Sequence, residues 1–216
     1  MRKFVDREAE LSFLERKWEE PGAQFIVLYG RRRVGKTSLV LKFCEGKPHV
    51  YYLCSLTSAR ENVRGLARAM ASYLGDELFA RAPFGGWEDL FAAFLERKPR
   101  GERVVIVIDE FPYLVEVDPA TPSAFQRLWD LHLSRRDDVV LVLCGSSVGV
   151  MESDVLGARS PLYGRRTGQW RLTELPLSAV RRFVPDYPYD DVVRVYAALG
   201  GIPAYLSLLD PSKPLY

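Results

Sequence analysis

Cysteine and histidine are scarce in this sequence: Cys44, Cys54 and Cys144 are the only thiols, and His49 and His132 the only imidazoles. An odd, widely spaced set of cysteines supports neither a disulfide framework nor a zinc site and reads as reduced core thiols. Neither histidine lies near a cysteine in sequence, so no transition metal is expected. Net charge is nearly absent too. Thirty Lys and Arg against 28 Asp and Glu leave +2, so no global field recruits nucleic acid or an anionic membrane, and any anion must be held locally. Long apolar runs are missing. The longest, residues 139–144, falls far short of the roughly 20 residues of a membrane helix. Residues 1–18 are charged rather than signal-like, so a cytoplasmic protein with no membrane partner is expected. Side-chain amides number four, Gln24, Asn62, Gln126 and Gln169. Some heat-adapted proteins share that trait, and an arginine-biased base composition mimics it.

What is present suits one globular domain or somewhat more. In 216 residues, 48% are hydrophobic and 12% aromatic, enough apolar surface to offset chain entropy and to exclude a disordered or collagen-like chain. Five β-branched or aromatic runs read as strands: Gln24–Tyr29 and residues 50–53, 104–108, 139–143 and 167–172. The third and fourth are apolar at nearly every position, as in strands covered on both faces of a parallel sheet. Helical periodicity fills the intervals, through Leu11, Leu14 and Trp18, then Leu66, Met70 and Leu74, then Phe91 and Leu95, then Phe125 and Leu128. Pro122 and Ser123 mark a helix start, and Pro83, Gly85 and Gly86 a break before Trp87. Alternating strands and helices predict an α/β fold. After Leu172 the strand signal stops, and residues 178–184, 190–199 and 204–209 read as helices. The expected division is therefore an α/β domain over residues 1–174 and a small helical lid over 175–216. The abrupt end at residues 209–216, with Pro211 and Pro214 in an exposed tail, suggests that the natural chain continues.

Gly30, Gly35, Lys36 and Thr37 stand at the spacing G-x-x-x-x-G-K-[ST], after an apolar strand and before an apolar helix expected at residues 38–43. Glycines let backbone N–H groups turn inward around a phosphate, the helix start adds the positive end of its dipole, and Lys36 reaches the β and γ phosphates. Thr37 would ligate Mg²⁺. The candidate phosphate-binding stretch is thus Gly30, Arg31, Arg32, Arg33, Val34, Gly35, Lys36, Thr37 and Ser38. Arg31, Arg32 and Arg33 either touch phosphate or a neighbour, or form a solvated basic tip.

The strand at 104–108 delivers Asp109 and Glu110 to its carboxyl end, where open α/β sheets bind ligands. Asp109 is a hard oxygen ligand for Mg²⁺ through water. Glu110 is the candidate to orient or deprotonate the attacking water. The next strand ends in Gly145, Ser146 and Ser147. A hydroxyl there, Ser146 ahead of Ser147, could report on the γ phosphate, and turn chemistry explains the same residues.

The ordered set Phe4-Val5-Asp6-Arg7-Glu8, Gly30 to Thr37, Ile108-Asp109-Glu110-Phe111, Cys144-Gly145-Ser146-Ser147, Ser160-Pro161-Leu162-Tyr163-Gly164-Arg165-Arg166 and Gly200-Gly201-Ile202-Pro203 resembles the archaeal ATPase family, in the STAND branch of AAA+ P-loop ATPases. The resemblance runs from residue 3 to about 209. It implies a three-layer αβα P-loop NTPase fold with a parallel five-stranded sheet of order 5-1-4-3-2, followed by the start of a helical lid. It also implies adenine contacts from the backbone around Val5 and Asp6, and closure of Pro203 over the nucleotide. Arg165 and Arg166 fall where AAA+ proteins offer an arginine finger to a neighbouring subunit, or else cover a surface turn. No arginine beside Gly-x-Pro matches the usual second sensor. Winged-helix or nuclease-like regions often follow in the family, which carries an expectation of DNA or protein partners through C-terminal domains.

The function expected is Mg²⁺-dependent ATP hydrolysis, with ATP or ADP as ligand, completed by an arginine in a homo-oligomer. A nucleotide-gated switch with little turnover is the alternative, and a small-molecule kinase a third reading without a visible acceptor site.

Overall fold

The near-continuous apolar runs pair with one another. In the computed structural model, which describes residues 4–213, β1 (Gln24–Tyr29), β2 (His49–Leu53), β3 (Val104–Asp109), β4 (Val139–Gly145) and β5 (Gly168–Arg171) form one parallel sheet in the order β2-β3-β4-β1-β5. Counted from the other edge, this is the order 5-1-4-3-2. The strand leading to Ser146 therefore lies between those leading to the Gly30 loop and to Asp109. Pro214 of the expected tail and the first three residues of the charged N-terminal segment lie outside the described residues.

The helices are α1 (Glu8–Glu19), α2 (Lys36–Cys44), α3 (Ala59–Leu74), α4 (Glu77–Arg81), α5 (Trp87–Arg97), α6 (Pro112–Val117), α7 (Thr121–Leu128), α8 (Val148–Val150), α9 (Leu177–Val180), α10 (Tyr189–Leu199) and α11 (Pro203–Leu206). Parallel strands need crossovers, and helices supply them on both faces. Strand residues alternate between two cores. Phe25, Ile106 and Leu141 pack with Leu66, Phe94 and Phe125 of α3, α5 and α7. Ile26, Val107 and Val142 pack with Leu14, Leu39 and Phe43 of α1 and α2. Burying each such side chain contributes roughly 1.5–3 kcal/mol, so the layers hold the loops at the strand ends against a stiff frame. A third, smaller core of Val180, Val192, Val195 and Leu206 joins α9, α10 and α11.

Several boundaries differ from the sequence expectation. The first crossover helix begins at Lys36, two residues before the expected start, because Gly35 takes a left-handed conformation (φ 100°) as its N-cap and turns the chain directly into the helix. Helix α9 stops at Val180, and the chain then runs in turns to Tyr187, since Pro185 and Pro188 disfavour helix at the residues before them. Helix α7 runs on into a π-helical turn, Trp129–Leu133, which presents Asp130. The three cysteines are free and buried. No helix among the described residues is long and apolar enough to cross a membrane.

Candidate functional site

The loop after β1 requires its glycines. A Cβ on Gly30 (φ 154°) would lie 2.2 Å from the Leu172 carbonyl oxygen. Gly35 has open space over it as far as the Pro203 ring, whose Cγ would be 3.9 Å from a Cβ at that position. Arg33 is held at φ 71°, a rare conformation for a side chain of its size. Lys36 is buried, and its ammonium donates to the carbonyls of Gly30 (2.8 Å) and Arg31 (3.0 Å), strapping the loop from inside. Burial lowers its pKa from the ordinary lysine value, and the carboxylates of Glu110 and Asp109 draw it partly back up.

Opposite the loop, β3 ends in a fully enclosed carboxylate. Asp109 Oδ2 accepts hydrogen bonds from the Thr37 hydroxyl and the Tyr51 hydroxyl, each at 2.8 Å. Its Oδ1 accepts from the Glu110 backbone N–H at 3.0 Å. Burial, and then the neighbouring Asp109 charge, push the Tyr51 phenol far above its usual range, so Tyr51 stays a donor. Glu110 sits at φ 56°, and its Oε2 accepts from the Ser146 N–H (3.1 Å) and hydroxyl (2.7 Å). Asp109 is thus fixed from α2 and β2, and Glu110 from the turn after β4.

A cavity of about 240 Å³ opens between the loop, the N-terminal segment and α11, with Val5, Lys36, Thr37, Ser38, Glu110 and Pro203 on its walls. Arg32, Arg33, Val34 and Gly35 also line it. Asp6, Gly30, Arg31, Asp109 and Ser146 lie behind or beside that wall. Asp6 takes a left-handed backbone (φ 57°) next to Val5. Ser146, Ser147 and Tyr113 instead line a second cavity, shared with Arg32 and Glu110.

The three loop arginines divide their contacts. Arg31 reaches Glu174 at 3.5 Å in an exposed pair. Arg32 donates to the Tyr113 hydroxyl at 3.0 Å and to Ser146 Oγ at 3.5 Å. Arg33 donates to the Tyr205 hydroxyl at 2.9 Å, its guanidinium 5.2 Å from that ring's centre. The last contact joins the phosphate loop to α11. Arg165 and Arg166 line neither cavity. Arg165 forms a two-pronged pair with Asp130 (2.8 and 2.7 Å) and donates to the Pro161 carbonyl. Arg166 lies 5.8 Å from the Tyr163 ring centre, and its buried Nη1 has no hydrogen-bond partner among the described residues.

Sequence reasoning missed Arg7 as a site residue. It is 5% exposed, pairs with Glu10 at 2.7 Å and donates to the carbonyls of Val34 (2.9 Å) and Thr173 (2.7 Å). One guanidinium therefore ties the N-terminal segment to the phosphate loop and to the exit of β5. In sequence it reads as one charge among many at a helix start, and the only signal was its place in the Phe4 to Glu8 run. Tyr51, Tyr113 and Tyr205 were missed as well, because nothing in their local sequence marks a hydroxyl whose partner lies far along the chain.

Comparisons with known proteins agree with this geometry. A model of the ATPase domain predominantly from Archaea matches residues 4–209. An uncharacterized protein of Methanocaldococcus jannaschii is 38% identical over 203 residues, covering 94% of this chain and 43% of the relative. The chain thus spans less than half the length of that relative. Among solved structures, the Walker-type ATPase PABY2304 of Pyrococcus abyssi superposes with a TM-score of 0.67 at 22% identity, over 95% of this chain and 66% of that one. The Aeropyrum pernix ORC2 protein, solved as ADPNP and ADP complexes, gives 0.60 at 15% identity, over 85% and 51%. These last two likenesses speak to the fold, that of a P-loop NTPase.

Proposed function

The chain belongs to the family of ATPase domains found predominantly in Archaea, and we propose that it binds ATP in the cavity over Lys36 and hydrolyses it with Mg²⁺. One observation carries the reading: Lys36, Thr37 and Glu110, from two separate strand ends, line one cavity, and Asp109 stands behind that wall with its Oδ2 2.8 Å from the Thr37 hydroxyl. That pair is a set of hard oxygen donors, and so fits Mg²⁺. The ion, when bound, would neutralise charge on the β and γ phosphates.

The chain's own groups divide the work. Inward N–H groups of residues 30–37 and the start of α2 bind the phosphates. Lys36, already desolvated, transfers its ammonium from the Gly30 and Arg31 carbonyls to the phosphate oxygens. Glu110 accepts a hydrogen bond from a water whose oxygen bonds to the γ phosphorus as the bond to the β–γ bridging oxygen breaks, releasing ADP and phosphate. Ser146 holds Glu110 in orientation. Val5 and Asp6 contact the adenine through their backbone, and Pro203 closes over Gly35. In this reading residues 1–174 bind nucleotide and 175–216 act as lid. Of the two arginines before β5, Arg165 is committed to Asp130 and the Pro161 carbonyl, so we assign the finger role toward a neighbouring copy to Arg166, whose Nη1 would have to leave its buried place beside Tyr163. The DNA or protein partners that the family's C-terminal domains engage would be reached through segments outside this chain, whatever this domain itself binds.

A nucleotide-gated switch with slow turnover is the second reading, favoured by the Glu110 carboxylate being already engaged by Ser146. Glu110→Gln decides between them. Hydrolysis predicts retained ATP binding with phosphate release abolished. A Gln variant that turns over as fast as the parent removes Glu110 from the mechanism, and a parent that retains ADP with negligible turnover establishes the switch.

A further inference from the structure

On the helices of the crossover from β2 to β3, and sharing no lining residue with the ATP cavity, lies a cationic trough. One part, about 510 Å³, carries Arg60, Arg64, Arg68 and Arg81 on its walls, over a floor that includes Val63 and Phe84, and has no acidic residue in its lining. A protein with a net charge of +2 has here concentrated four guanidinium groups in one concavity. Arg60, Arg64 and Arg68 recur every fourth residue along α3, so they form a single row with steps of about 6 Å. Arg81 faces them from the end of α4. All four are exposed. Arg60, Arg68 and Arg81 have no hydrogen bond or ion pair among the described residues, and Arg64 has only an exposed pair with Glu61 at 2.9 Å. Such a pair contributes little and yields readily to a stronger anion.

This part shares Arg60, Val63, Phe84 and Gly85 with an adjoining cavity of about 740 Å³. The character changes there. Glu88, Asp89 and Asp118 enter the lining along with Arg127. Glu88 is paired with Arg127 at 2.7 Å, while Asp89 and Asp118 accept from backbone N–H groups of their own loops. A bare polyanion such as polyphosphate is repelled by that half. A strand of nucleic acid is not, because its phosphates suit the arginine row and its base amino groups suit carboxylate acceptors. A duplex would bring its phosphates but withhold most base edges from a trough of this kind.

We propose that this trough binds single-stranded nucleic acid, with its phosphodiester backbone along Arg60, Arg64 and Arg68 and across to Arg81. Binding is local to this domain and independent of the ATP site, so it stands apart from the hydrolysis reading.

The test is fluorescence anisotropy of a labelled oligodeoxycytidylate and a mixed-sequence strand, titrated with the chain over a series of salt concentrations, alongside a triple variant Arg60→Ala, Arg68→Ala, Arg81→Ala. These side chains are exposed and unpaired, so the variant keeps its fold, which its thermal midpoint and its uptake of a fluorescent ATP analogue verify. The expected result is affinity weakened roughly tenfold or more at low salt, with the slope of log K against log salt reduced by about 2, three lost single-strand contacts at about 0.7 each. Lys36→Ala should leave strand binding unchanged while abolishing ATP binding, so failure of one reading is visible apart from the other. Equal strand binding by parent and triple variant overturns the proposal. So does a parent that binds inorganic polyphosphate, a duplex or phosphatidylserine vesicles as tightly as the strand.

Discussion

Ser146 donates two hydrogen bonds to a single carboxylate oxygen of Glu110, one from its backbone N–H at 3.1 Å and one from its hydroxyl at 2.7 Å. The backbone bond survives replacement of the serine by alanine and the hydroxyl bond does not. Ser146→Ala should therefore leave Glu110 near its position with a looser orientation. We expect kcat to fall about tenfold with ATP affinity unchanged, measured by steady-state phosphate release beside calorimetric titration. A parallel loss of affinity would place the serine in binding instead.

Arg7 carries a buried ion pair with Glu10 and two backbone carbonyls. Arg7→Met leaves the Glu10 carboxylate and the Val34 and Thr173 carbonyls without their donor in a site almost closed to water. Breaking such a pair costs about 3–5 kcal/mol, which lowers the thermal midpoint by roughly 10 °C in a chain of this length. Because Val34 belongs to the phosphate loop, ATP should also raise the midpoint less in the variant than in the parent.

In the proposed function Lys36 grips phosphate as its ammonium, and burial lowers its pKa in the free protein. The sign runs in opposite directions for binding and for folding. As pH rises from neutrality, Lys36 deprotonates before an ordinary lysine, so ATP affinity falls and binding takes up protons, visible as a buffer-dependent calorimetric enthalpy. Over the window between the lowered pKa and 10.5 the unfolded chain binds more protons, so this residue makes the ligand-free protein more stable with rising pH. An affinity that stays flat across the alkaline range would show that the ammonium is not needed.

Gly201 packs backbone on backbone. Its carbonyl accepts from the Leu175 N–H at 2.7 Å, and a Cβ there would come within 1.7 Å of the Leu175 carbonyl oxygen. Gly201→Ala must displace the segment that carries Pro203, at a cost of about 1–3 kcal/mol. Limited proteolysis should cut residues 175–209 faster in the variant while the sheet resists, and ATP affinity should drop with the lost approach of Pro203 to Gly35.

The phosphate loop was legible from Gly30 to Thr37 because its chemistry is local: two glycines, a lysine and a hydroxyl at fixed spacing can do little else after an apolar strand. Asp109 and Glu110 were legible for a similar reason, as acids ending a fully apolar run. The contacts that hold these residues were not. Tyr51 on Asp109, Arg7 on Val34, Arg33 on Tyr205 and Arg165 on Asp130 join residues from 27 to 172 positions apart, and no periodicity records such a pairing. The trough along Arg60, Arg64 and Arg68 lies between these cases. Its row is written in the four-residue spacing of α3, while Arg81 and Phe84 enter it only because α4 packs back on α3.

By itself the sequence determined the five strands and the main crossover helices, where the glycine loop turns and which carboxylates end β3, since hydrophobic periodicity and backbone freedom act over a few residues. Tertiary structure alone decided that Ser146 grips Glu110, that Pro203 stands over Gly35 and that Arg7 fastens three segments. Those distances follow from the order in which parallel strands dock and from the burial of two cores around them, a balance over the whole chain that no short stretch encodes.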